Sequence, residues 1–73
     1  VPARLREIIR AFAAFGGAVE PSRGGSSHWI ASKDGRVFPL TAHNGPKSEI
    51  SDLYIRGMCR CFGLDEEEFR KFL

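Results

Sequence analysis

Residues with chemistry to offer gather around one short stretch of the chain, RGGSSHWIA at positions 23–31. His28 brings an imidazole, the side chain best suited to exchanging protons near neutral pH. Gly24 and Gly25 precede it, and residues without a β-carbon let the backbone approach a phosphate closely. Ser26 and Ser27 add hydroxyls that donate hydrogen bonds. Cleaving RNA without a metal calls for a base to take the ribose 2′-hydroxyl proton, donors for the charged phosphorane, and an acid for the departing 5′-oxygen. His28 can fill the first or the last of these roles.

The charges around this stretch suit the same substrate. Residues 21–47 hold Arg23, Lys33, Arg36 and Lys47 against Asp34 alone, and they include both histidines, His28 and His43. Beyond Lys47, six acidic residues (Glu49, Asp52, Asp65, Glu66, Glu67 and Glu68) outnumber Arg56, Arg60, Arg70 and Lys71. A polyanion would therefore favour the middle of the chain, although the formal net charge is only +2. The four middle cations and His43 are candidate RNA contacts, together with Gly25, Ser26 and Ser27. Taken locally, a histidine beside glycines and serines at a strand entrance is more often an ordinary structural or surface residue, and lysines and arginines equally describe a solvated face.

Other chemistries find less support. Cys59 and Cys61 stand two apart on a helical segment, where side chains point roughly 200° apart, so they are not expected to bridge. Without a second Cys or His pair nearby they do not build a tetrahedral metal site, and no metal or cofactor is expected. One packed and one exposed thiol in a reducing cytoplasm is the simplest account. Trp29 is able to stack on an unpaired base, but a tryptophan in a strand of a small domain more simply serves the core, and Tyr54 and the phenylalanines are assigned there too.

These side chains must be positioned by a small scaffold. A chain of 73 residues with 42% hydrophobic and 27% charged residues makes one domain with one modest core, covering positions 1–73. No apolar run approaches the roughly 18 residues of a membrane span, and no charged-then-apolar leader is visible. No membrane partner is expected, and a cytoplasmic location is.

Leu5, Ile8, Ile9, Phe12 and Phe15 recur at helical spacing, with Pro2 suited to the first turn and Gly16 and Gly17 ending the pattern. Residues 18–20 predict a short strand stopped by Pro21. Residues 28–33 and 36–41 flank Asp34 and Gly35, a strong hairpin signal because both central positions of such a turn need positive φ. Ile50, Leu53, Tyr54, Gly57, Cys61 and Leu64 then outline a second helix, with Ser48 as its N-cap and Gly63 as its stop. Gly57 inside that helix marks a close approach to the sheet. Asp65 caps a short last helix carrying Phe69, Phe72 and Leu73. An α+β fold follows, with helices on one face of a three-stranded antiparallel sheet and the other face wet.

A helix, a Gly-Gly turn, a short strand, Gly25-Ser26-Ser27-His28 entering a second strand, Pro39 late in the third, and a last segment reading GLDEEEF together resemble the HicA-type toxins. The resemblance spans nearly the whole chain, and its specific part is the Gly-Ser-x-His pattern ending at His28. It implies a fold like the double-stranded RNA-binding domain and the activity of an mRNA interferase, a small metal-independent endoribonuclease that stops translation. His28 then takes the catalytic place, mRNA is the substrate, and a HicB-like antitoxin protein is the partner. Many such proteins have a second histidine two residues after the strand-three proline, whereas here His43 comes four after Pro39. The alternative is a non-catalytic RNA-binding module of the same fold; a domain that binds only protein is a third possibility.

Overall fold

The computed structural model describes residues 2–23 and 28–73. At its centre is an antiparallel sheet of β2 (Ala18–Pro21), β3 (His28–Lys33) and β4 (Arg36–Thr41), in the order β2-β3-β4. Asp34 at φ 51° and Gly35 at φ 80° form the two-residue turn between β3 and β4, both in the left-handed region as the Asp-Gly pair requires. Pairing of Lys33 with Arg36 then fixes the register through to His28 opposite Thr41. Side chains alternate along a strand, so Val19, Trp29, Ala31, Phe38 and Leu40 share the face turned to the helices. Val19, Ala31 and Leu40 are buried, and Trp29 and Phe38 pack half-buried against them. The opposite face carries Ala18, Glu20, His28, Ile30, Ser32, Val37, Pro39 and Thr41.

Helix α1 (Leu5–Ala14) buries Leu5, Ile8, Ala11 and Phe12, one stripe at helical spacing. It starts later than Pro2 predicts. Ala3–Arg4 first forms a two-residue strand, β1, paired with β5 (Glu49–Ile50), and such short strands leave no alternation to read. The Arg4 N–H donates to Glu7 Oε1 at 2.9 Å, satisfying one backbone group at the helix start.

Helix α2 (Asp52–Phe62) is capped by Ser51, whose Oγ accepts from the Tyr54 N–H at 3.5 Å, and not by Ser48. Ser48 is buried behind a single 3-10 turn, Gly45–Lys47. Its Oγ accepts from the Asn44 N–H and its carbonyl from the Leu5 N–H, both at 2.8 Å, tying the loop to α1. Ile50 accordingly sits in β5. The buried stripe of α2 is Ile55, Met58, Cys59 and Phe62, with Phe62 against Phe12 at 4.9 Å between ring centroids. The predicted stripe is rotated from it: Gly57 and Cys61 face β4, while Leu53, 76% exposed, and Tyr54 face solvent. Gly57 does mark a close approach, since a β-carbon there would lie 3.1 Å from Phe38 Cζ. Gly63, at φ 70°, ends the helix as predicted.

Asp65 caps α3 (Glu66–Arg70) by accepting from the Glu67 N–H at 2.9 Å. Phe69 is fully buried, whereas Phe72 stays exposed and meets Phe15 edge-on at 5.1 Å.

Two prolines sit on the outer strands. The residues flanking a two-residue hairpin turn form a hydrogen-bonded pair, so alternate residues, Val37 and Pro39 on β4, aim their backbone polar groups away from β3. The Val37 carbonyl accordingly accepts from Cys61 Sγ at 3.6 Å. On the other side the Ser22 N–H donates to the His28 carbonyl at 2.9 Å, which places Pro21, opposite Trp29, at an outward position of β2.

Candidate functional site

The open face of the sheet is built in rows. His28 heads β3 opposite Thr41, beside Ser22; Glu20, Ile30 and Pro39 form the next row, and Ala18, Ser32 and Val37 the one after. Each row lies two residues along the strand from the last, about 6.6 Å. His28 is exposed at the end of this face. Arg23, also exposed, follows the β2 end of the same row, and exposed His43 lies two residues past Thr41. Arg23, His28 and His43 are thus brought to one end of the sheet. Lys47 is exposed on the 3-10 turn of the loop that carries His43, and its carbonyl accepts from Arg4 Nη1 at 2.8 Å. Gly25, Ser26 and Ser27 fall outside the described residues.

Lys33 and Arg36 are not part of this gathering. They flank the hairpin turn, five residues along β3 from His28, roughly 17 Å away, and alternation puts them on the helix side of the sheet. Lys33 Nζ pairs with Asp34 Oδ2 at 2.7 Å, and the Asp34 carboxyl is held below its usual range by that hydrogen bond and charge. Arg36 Nη1 donates to the Cys61 carbonyl at 3.0 Å, engaging one of the last carbonyls of α2. Both serve the hairpin and the helix it meets.

Beside the His28 row the open face dips into a groove of about 360 Å³, lined among others by Glu20, Arg23, Ile30, Ser32 and Val37. Among the described residues no hydrogen bond or ion pair engages the Glu20 carboxylate. Glu20, Ile30 and Ser32 are residues that motif reading passes over. Alternation outward from the Asp34-Gly35 turn places Ile30 and Ser32 on one face with His28, whereas Glu20 joins them only through the β2–β3 register. A second hollow, about 370 Å³ beside Pro2, Glu7 and Arg70, is larger but its guanidinium is committed to Glu66 and Asp52.

Burial pushes the Cys59 thiol up to about 11, so it stays protonated, and Cys61 is half-buried rather than exposed. Trp29 packs on the helix side, away from the open face, in keeping with a core role. Among the described residues no three His, Cys, Asp or Glu side chains are grouped to hold a metal ion, and no helix is long and apolar enough to cross a membrane. Comparison with known proteins finds no matching family model, no matching curated protein and no matching solved structure.

Proposed function

We propose that this protein is a metal-independent endoribonuclease of the mRNA-interferase kind, the toxin of a toxin-antitoxin pair, with His28 as its principal proton carrier. The observation that carries the proposal is the place of His28: exposed at the head of the central strand, on the open face, with Arg23 and His43 at the same end. The resemblance of its Gly-Ser-x-His segment to HicA-type toxins points the same way, and extends the proposal to a HicB-like antitoxin as partner.

In this mechanism His28 takes the proton of a ribose 2′-hydroxyl, and the oxygen attacks the adjacent phosphorus. The bond from phosphorus to the 5′-oxygen breaks, leaving a 2′,3′-cyclic phosphate on one fragment and a 5′-hydroxyl on the other. His43, the other imidazole at that end, is the group assigned to protonate the departing oxygen. Arg23 offsets the charge that builds on the phosphorane. Lys33 and Arg36, at the far end and on the other face, take no part.

The test is RNA cleavage in chelator by purified protein, with fragment ends analysed for cyclic phosphate. Wild-type protein is expected to cut, and His28→Ala to lose cleavage while its amide spectrum stays that of the folded chain. Equal cleavage by His28→Ala would remove the assignment. Salt-sensitive binding without cleavage by the wild-type chain would support the non-catalytic RNA-binding module instead.

A further inference from the structure

The groove beside His28 has the makings of a base-binding site. Its floor lies on the central strand, where Ile30 is apolar and Ser32 brings a hydroxyl; Glu20 and Arg23 line it from the β2 side, and the exposed Val37 from β4. Glu20 and Ile30 are directly paired, one row, about 6.6 Å along the strand, from His28. A single strand whose phosphate lies at His28 therefore brings a neighbouring base over this floor. About 360 Å³ is within the size of small-ligand sites, and single-stranded RNA is recognised through base faces laid on protein surface and base edges read by hydrogen bonds.

The charge pattern selects among bases. A carboxylate only accepts hydrogen bonds, so the matching edge must donate. Guanine presents N1–H and N2–H side by side, a pair of parallel donors that one carboxylate takes with both oxygens, as it does a guanidinium. Adenine and cytosine present one amino group beside a ring nitrogen that is itself an acceptor and repels the second oxygen. Uracil presents one N–H between two carbonyls. Arg23, at the end of the groove toward His28, is left for the phosphate of the same nucleotide.

We infer that the Glu20–Ile30–Ser32 groove holds a nucleobase of the RNA strand bound at His28, and that Glu20 makes guanine the preferred base. The inference rests on the proposed RNA substrate but not on cleavage. The experiment follows backbone amide shifts of the intact chain during titration with GMP, AMP, CMP and UMP, for wild-type protein and for Glu20→Gln and His28→Ala. Expected are saturable shifts at Glu20, Ile30, Ser32 and Val37, tightest with GMP. Glu20→Gln should weaken GMP about tenfold, the loss of a charge-assisted hydrogen bond, and bring the four nucleotides together; His28→Ala should leave the ranking unchanged. Four equal affinities, shifts confined to other surfaces, or no shift with any nucleotide overturns the inference, the last leaving the face to a protein partner. Cleavage of mixed-sequence RNA with no preference for sites beside guanine overturns it too, while leaving the nuclease proposal standing. GMP binding at the groove by a chain that cuts no RNA supports the inference and defeats the nuclease.

Discussion

Single positions in this molecule have consequences that depend on what surrounds them. Gly17 is an example: a β-carbon there would overlap the ring of Phe12, which is wholly buried. Because that ring has no space to retreat into, Gly17→Ala is expected to cost about 1–3 kcal/mol, the range for overpacking a filled core, read as a lower urea midpoint. An unchanged midpoint would show that Phe12 yields without cost. His28 is legible in the sequence because imidazole chemistry is a property of residue type and its neighbours are adjacent in the chain. Glu20 is not legible in that way. Its partners Ile30 and Ser32 lie across a loop, and only the pairing of β2 with β3 decides that all three share a face with His28. Lys33 and Arg36 are nominated by charge alone, and residue type does not tell that they engage Asp34 and the end of α2 at the far end of the sheet from His28.

At the level of elements, the hairpin, the two longer helices and the caps at Gly63 and Asp65 follow from local signals, since Asp-Gly, helical periodicity and capping residues act within a few positions. Where two local signals compete, tertiary contacts decide. Ser48 and Ser51 are both acceptable N-caps; Ser48 is withdrawn by its bonds to Asn44 and Leu5, and β5 takes up the residues between. The short helix α3 is tied to α2 by an ionic clamp, in which Arg70 reaches Glu66 at 2.8 Å and Asp52 at 2.9 Å, and Arg56 reaches Glu66 at 3.3 Å. The hydrogen bond from Arg70 holds the Glu66 carboxyl below the usual carboxylate range. A carboxyl lowered in the folded state stabilises above its unfolded pKa and loses that contribution as pH falls through the folded value. Melting temperatures measured from neutral pH down through the carboxylate range should therefore fall in acid less steeply for Glu66→Gln than for wild type, from a lower value at neutral pH. Parallel curves would mean that the clamp contributes nothing, as many exposed ion pairs do.

Across the whole molecule, one core joins both longer helices, α3 and the sheet, and Phe12, Phe62 and Phe69 are buried in it together. A domain this small exposes much of its surface, and a three-stranded sheet with one open face has little to shield its two borders. Here Pro21 and Pro39 stand at outward positions of the border strands, where a further strand would need an N–H to bond to. Replacing Pro39 by valine restores that N–H and adds a β-branched side chain. Pro39→Val is expected to self-associate with rising concentration in sedimentation, and a monomeric Pro39→Val would assign border protection to other features. Each proline takes one bonding position out of its border strand. A copy approaching edge to edge therefore meets a gap in the ladder at either border of the three-stranded sheet, which disfavours templated stacking of one molecule on the next.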